Sequence, residues 1–344
     1  MKTTGVFVGG HLATRYLGMR LKSPLVASAG PLAKEIANIR RMEDSGMGAV
    51  VLHSLFEEQI ELESAALDQH LSGGAESFPE AMSYFPDMAE YNIGPDAYLE
   101  HIRKAKAAVQ IPVIASLNGS TPGGWLQYAS MMEEAGADAL ELNLYFLPTD
   151  PEITGAQVES QCVKLVRDVV RSIRIPVAVK IGPYFSSLPN IARSFDEAGA
   201  RAIVVFNRFY QPDYDLQTME VVPNLNLSAS SELLLRLHWV ALLSGRTKAD
   251  LAVTGGVHTA ADVLKSMMAG ARIAMMTSAL LKYGIDYVGK VIADLDEWMT
   301  AHEYESIEQM QGSLNYLSVP DPAAYERANY MRVLSSYNPR RGGV

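Results

Sequence analysis

The chain has 344 residues, 48% of them apolar and 20% charged, and a formal charge of −10; it is long enough for one large α/β barrel or two ordinary domains. That acidity excludes a general nucleic-acid binder, which needs clustered Lys and Arg to displace counterions from phosphates. A single cysteine, Cys162, excludes an internal disulfide and any cysteine-ligated iron–sulfur cluster carried by this chain alone. No apolar stretch reaches membrane-spanning length, and Met1-Lys2-Thr3-Thr4-Gly5 lacks the apolar core of a secretory signal. The expectation is a soluble, cytoplasmic protein with no membrane partner.

Apolar runs and helix-like segments alternate along almost the whole chain. Pro24–Ser28 reads as a first strand, Ala33–Ser45 as a first helix and Ala49–Leu52 as a second strand. A polar, Gly-containing stretch from Glu57 to Pro95 then interrupts the rhythm, and loops of that length are functional or disordered in compact domains. A helix near Asp96–Val109 leads to a third strand, Ile111–Ser116, with Pro112 where no ladder donor is needed. The fourth strand is Ala139–Leu144, followed by a helix over Gln157–Ile173. Ile175–Lys180 is the fifth strand, a twin of the third; the sixth to eighth are Ala202–Phe206, Leu251–Thr254 and Arg272–Met276. From Ile285 the chain reads as helical, and Pro339–Val344 as a loose tail.

Four times a helix closes on a glycine and an apolar strand starts at once: at Gly46, Gly136, Gly199 and Gly270. Glycine takes the left-handed conformation without a Cβ clash, and the run behind it is a strand buried on both faces. The pattern predicts an α/β protein: a TIM (β/α)8 barrel with a long loop after its second strand and a helical C-terminal extension. It forms a single domain over 1–344, with a core of about 20–300 and an extension over 301–344. A doubly wound open sheet is the alternative, although no Pro-, Gly- or Ser-rich linker separates two compositions.

The residues that leave these strands are polar: His53, Asn118, Asn143, Lys180, Asn207, Gly255-Gly256 and Thr277. Barrels build active sites at those ends. Leu251–Val257 ends in two glycines ahead of a helix starting near Thr259, and Met276–Leu280 adds two hydroxyls, Thr277 and Ser278. Together these match the phosphate site that barrels form from the loops after strands seven and eight; for the glycines alone, a tight turn is the alternative. Lys180 ends an apolar strand, where a charge needs a ligand or counter-ion unless it snorkels to the rim. Beside a flavin, a lysine stabilises the anionic reduced ring. The amides of Asn143 and Asn207 can hold a polar planar ligand or cap local turns. Glu57, Glu58, Glu61 and Glu63 read as a solvated acidic face, and His101, His238 and His258 lack ligand spacing, so no metal is expected.

The stretches Ala27-Ser28-Ala29-Gly30, Glu141-Leu142-Asn143-Leu144, Val179 to Phe185, Asn207, and Thr254-Gly255-Gly256-Val257 through Met276 to Leu280 run in an unbroken order. Over about residues 11–300 the chain resembles the dihydroorotate dehydrogenase family of flavin mononucleotide (FMN) enzymes. The resemblance implies that Ser28, Ser54, Asn143, Lys180, Gly255, Gly256, Thr277 and Ser278 contact FMN, with Asn143 and Asn207 also facing substrate. His53 stands where the family has a lysine near the flavin and the substrate carboxylate, so it joins the cofactor set with a shorter reach and a conditional charge. Asn92 stands in, loosely, for the family's asparagine-rich substrate segment.

The departures bear on the reaction. Phe146 holds the position of the family's cysteine or serine base, and phenylalanine cannot take a proton. Cys162 falls within a helix, leaving Tyr145 and Thr149 as the nearby hydroxyls; a tyrosine base needs its pKa brought down from about 10. The resemblance implies an FMN-dependent oxidoreductase acting on CH–CH bonds, as in the conversion of dihydroorotate to orotate in pyrimidine biosynthesis. Three alternatives remain: a flavin enzyme for another dihydropyrimidine or enone-type substrate, a catalytically idle flavin-binding subunit, and a phosphosugar barrel using Lys180 as a Schiff-base nucleophile. The expected partners are a small dihydropyrimidine-like substrate, an iron–sulfur/flavin electron-transfer subunit if nicotinamide is the acceptor, and a second copy in a homodimer.

Overall fold

The computed structural model describes residues 10–57, 94–119 and 125–336. Two short strands, β1 (Thr14–Tyr16) and β2 (Met19–Leu21), precede β3 (Leu25–Ala27), α1 (Ile36–Asp44) and β4 (Ala49–Phe56). Next come α2 (Pro95–Ala108), β5 (Val113–Asn118), α3 (Trp125–Glu134), β6 (Ala139–Asn143), α4 (Gly155–Ser172), β7 (Val177–Ile181), α5 (Leu188–Ala198) and β8 (Ala202–Val205). A hairpin of β9 (Asp213–Asp215) and β10 (Glu220–Val222) leads to α6 (Leu233–Leu243), β11 (Asp250–Thr254), α7 (Ala260–Ala269), β12 (Ile273–Met276) and α8 (Ser278–Tyr283). The chain continues through α9 (Tyr287–Ala301), α10 (Ile307–Met310) and α11 (Asn329–Ser336).

Strands β11-β12-β3-β4-β5-β6-β7-β8 close into a barrel, every neighbouring pair parallel. Closure rules out the open doubly wound sheet. The strands are largely apolar because both faces are buried. Val26, Val51, Ile114, Ala139, Ala178, Val204, Ala252 and Met275 fill the inside, whereas Leu25, Leu52, Leu140, Val179, Ile203 and Val253 pack outward with the helices. Side chains alternate across a strand, so the inner row continues to Ser116 and Asn118 on β5, Glu141 and Asn143 on β6, and Lys180 on β7. The inner row therefore turns polar at one end of the barrel, where the site lies.

At the opposite end the β1–β2 hairpin acts as a plug, with Tyr16, Leu17 and Leu21 joining the inner cluster and the Leu17 amide donating to Asp250 Oδ2 at 2.8 Å. Neither this hairpin nor β9–β10 follows from the sequence pattern. The first helix begins later than expected: Pro31–Lys34 form a 3-10 turn, and extended Glu35 separates it from α1. Helix α4 starts two residues early because Thr154 caps it, its hydroxyl accepting from the Gln157 amide. Strand β4 runs on to Phe56, with a register shift between Val51 and Ser54. Among the described residues the C-terminal extension is helical only in short pieces; α10 anchors it through buried Ile307 and Met310, and α11 carries no buried residue.

The four junction glycines adopt φ of +107°, +98°, +103° and +116°. Their surroundings differ. A Cβ on Gly136 would meet only Lys106 Cγ at 3.8 Å, whereas on Gly270 it would lie 2.2 Å from Ser244 Oγ. In equilibrium denaturation, Gly136→Ala is expected to cost about 1–2 kcal/mol, the strain of a left-handed residue. Gly270→Ala is expected to cost about 1–3 kcal/mol more through overpacking; equal losses would contradict this account of the junctions.

Candidate active site

A cavity of about 870 Å³ opens at the polar end of the barrel, lined by Ser28, Lys180, Asn207, Gly255, Gly256, Thr277 and Ser278 among others. Lys180 is buried, and its Nζ donates to Glu141 Oε1 at 3.3 Å; Glu141 is only 1% exposed. The lysine therefore does not snorkel: it is held inside by a counter-ion two residues before Asn143 on the same strand. Asn143, also buried, does not line the cavity directly; its Oδ1 accepts from Asn207 Nδ2 at 3.0 Å and fixes how that amide faces the cavity. One end of the cavity is thus an ammonium beside an oriented amide.

The other end is built from backbone and hydroxyls. Gly255 and Gly256 have φ of +88° and +83°, and the Gly256 amide donates to Ser228 Oγ at 3.3 Å. Thr277 Oγ1 donates to the Ser28 carbonyl at 3.3 Å, and Ser278 Oγ accepts from the Ser228 amide at 3.1 Å. Ser28 Oγ lies 3.3 Å from Thr254 Oγ1. Behind this end Ser228 Oγ meets His258 Nε2 at 3.2 Å, and the carboxylate of Asp262 caps α7 by accepting from the amides of His258 and Thr259.

The remaining sequence candidates lie elsewhere. His53 and Ser54 line a second cavity of about 230 Å³ that adjoins the first at Ala29, Gly30, Pro31 and Tyr210. Ser54 Oγ bonds Ser116 Oγ at 2.8 Å. The His53 ring stands edge-on to Tyr98, with centroids 5.0 Å apart, and 5.4 Å from His101; among the described residues neither ring nitrogen has a hydrogen-bond partner. Tyr145 stacks on Phe209 at 4.6 Å and Thr149 is exposed, so both hydroxyls are outside the two cavities. Cys162 is buried in α4, where desolvation pushes its thiol up to about 11. Asn92 lies outside the described residues. Among the described residues no group of His, Cys, Asp or Glu is placed to hold a metal, and no helix is long and apolar enough to cross a membrane.

Several site residues were not anticipated from the sequence. Glu141 could have been, as the one carboxylate inside a strand predicted from the sequence. Arg208 also lines the main cavity, its Nε 3.1 Å from Glu232 Oε2 and its Nη1 donating to the Asn226 carbonyl. No periodic signal marks it, because it follows β8 in a stretch without regular structure.

Residues 81–299 match the model of the family described as dihydroorotate dehydrogenase. A protein of Thermoplasma acidophilum, the catalytic subunit of dihydroorotate dehydrogenase B (NAD(+)), is 28% identical over 309 residues, covering 88% of this chain and 98% of its own length. The corresponding subunit of Thermoplasma volcanium is 26% identical over 310 residues, with 88% and 97% covered. A protein of Aeropyrum pernix, provisionally named dihydroorotate dehydrogenase A (fumarate), is 26% identical over 312 residues, with 88% and 97% covered. The chain belongs to the dihydroorotate dehydrogenase family.

Burial, with the nearby charges of His101 and Lys34, lowers the His53 pKa from 6.5 to about 4. The fold therefore holds His53 neutral, and its contribution to stability is complete above pH 6.5 and lost as pH falls toward 4. Comparing urea unfolding of the wild type with His53→Phe across that window should show the wild type losing up to about 3 kcal/mol more than the variant. Parallel pH profiles would show that His53 is not held neutral.

Proposed function

We propose that this chain is an FMN-dependent oxidoreductase that moves a hydride between the flavin and a ring CH–CH bond of a dihydropyrimidine, in the manner of dihydroorotate oxidation. The observation that carries the reading is one cavity with a buried ammonium and an oriented amide at one end, and two left-handed glycines with two hydroxyls at the other. The residues fit the group. At about 870 Å³ the cavity is at the upper end of ligand-site volumes of about 300–1,000 Å³, room for a cofactor and a small ring. The glycine turn admits no side chain, because a Cβ on Gly256 would lie 2.5 Å from the Leu233 amide nitrogen. The turn meets the cavity through its backbone, with the Gly256 amide also within 3.3 Å of Ser228 Oγ.

When bound, FMN supplies the hydride acceptor. Gly255, Gly256, Thr277 and Ser278 would hold its phosphate end, with Ser28 beside them. Lys180, held in position by Glu141, would offer a positive charge to the ring as it gains negative charge on reduction. Asn207, oriented by Asn143, presents its amide to the substrate's polar edge. In this reading His53 and Ser54 bound the adjoining lobe. Phe146 accepts no proton, so the proton lost from the ring goes to Tyr145 or Thr149, and either reaches the cavity only if residues 145–150 turn inward.

A second reading, a dihydropyrimidine without a carboxylate, is favoured by neutral His53, which offers no fixed cation to an anionic substrate. In both readings the chain acts as a single cytoplasmic domain and a homodimer. With one cysteine it needs an electron-transfer subunit to use nicotinamide; the relatives named as catalytic subunits of an NAD(+)-linked enzyme support that arrangement.

Anaerobic mixing of the oxidised protein with dihydroorotate, dihydrouracil and dihydrothymine, followed by flavin bleaching, tests the chemistry. At least one is expected to bleach the flavin within the mixing experiment, and failure of all three would favour an idle flavin-binding subunit. Lys180→Ala should slow bleaching by about 10²-fold while FMN stays bound; unchanged kinetics would remove Lys180 from the mechanism. Of Tyr145→Phe and Thr149→Val, the one that lacks the base should show a similar loss, and no loss in either would refute both assignments.

A further inference from the structure

Arg236 on α6 is buried, 6% exposed, and does not line the cavity. Its Nε donates to the Thr254 carbonyl at 3.0 Å and its Nη1 to the Glu232 carbonyl at 2.7 Å. Thr254 is the last residue of β11, and Gly255 follows directly. A Cβ on Gly255 would lie 2.8 Å from Nη2 and 3.1 Å from Cζ of the guanidinium. The glycine turn is therefore wrapped over an arginine head, with the cavity on its other side.

A guanidinium cannot shed its proton, so its burial calls for a counter-charge. The charged groups that act on it are Glu232 and Arg208, and those two pair with each other at 3.1 Å. Among the described residues no carboxylate comes within ion-pair distance of Arg236. Asp262, the other buried carboxylate of this end, is committed to capping α7 and to the Ser230 hydroxyl. The fold leaves one buried positive charge uncompensated, directly beneath the turn.

We propose that Arg236 is the counter-charge of the phosphate site, a positioning residue that supports the Gly255–Gly256 turn from behind and offsets, through it, the dianion of a phosphate monoester. The inference rests on the phosphate-bearing ligand of the proposed function and adds which residue balances it. It also explains why Gly255 must be glycine: a side chain there would displace the arginine.

The test uses the full-length apoprotein, titrated with FMN and with riboflavin, which lacks the phosphate, and thermal unfolding with added inorganic phosphate. Arg236→Met should weaken FMN binding by about 10- to 100-fold, leave riboflavin affinity unchanged and abolish stabilisation by phosphate. Arg236→Lys, which keeps the charge, should recover most of the FMN affinity. Glu232→Gln removes the opposing charge and should tighten FMN several-fold over riboflavin; these two variants decide the matter if Arg236→Met does not fold. Equal losses for FMN and riboflavin in Arg236→Met would reduce the arginine to a support for the turn and overturn the counter-charge. So would weaker FMN binding relative to riboflavin in Glu232→Gln. If the wild type binds neither flavin yet is stabilised by phosphate in an Arg236-dependent way, the counter-charge stands and the flavin reading falls. If phosphate stabilises nothing, the counter-charge falls as well.

Discussion

A lysine ammonium and a glutamate carboxylate face each other inside the barrel, 3.3 Å apart and almost closed to water. Desolvating two charges offsets much of their mutual attraction, so an apolar pair at Lys180 and Glu141 would serve stability as well or better. Removing one partner alone is another matter, costing about 3–5 kcal/mol by stranding the other charge. Their presence fits the role proposed for the ammonium at the cavity, with Glu141 as the group that makes its burial tolerable. The rest of the site is arranged around that charge: Asn143 lies opposite it on the neighbouring strand, Asn143 bonds Asn207, and the glycine turn lines the same cavity.

The barrel makes this arrangement by alternation. Parallel strands buried on both faces put every second residue inside, and toward one end the inner row passes from Ala139 to Glu141 and Asn143, and from Ala178 to Lys180. Parallel register places Asn143 directly across from Lys180. The same scaffold with an apolar inner row would be a stable barrel without a site. Charge balance recurs at the far end of the cavity, where Arg208 and Glu232 neutralise each other and the buried arginine under the turn is left over.

Much of this was legible in the sequence. Eight strands could be placed to within a few residues, except at the end of the second, because each is a short apolar run, four of them behind a junction glycine, and such runs suit only strands buried on both faces. Lys180, Asn207, the glycine pair and the two hydroxyls could be named because each ends such a run. What could not be read depends on partners distant in sequence. The plug of Tyr16, Leu17 and Leu21 sits on three-residue strands too short to show a period. The side chain that meets Lys180 is set by the register of β6 against β7, and Asn143 finds Asn207 across 64 positions. His53 was legible as a strand-end residue, but not its place: the register shift between Val51 and Ser54 breaks the alternation, and the ring packs against Tyr98 and His101.

A flavin with a phosphate tail spanning this cavity would travel with the protein, so the decisive measurement is flavin content. Purified protein denatured to release its ligand, with the supernatant resolved by chromatography, should give about one FMN per chain, either as isolated or after incubation with FMN and removal of the excess. Protein that releases no flavin, and takes none up when FMN is offered to the folded chain, would contradict the account.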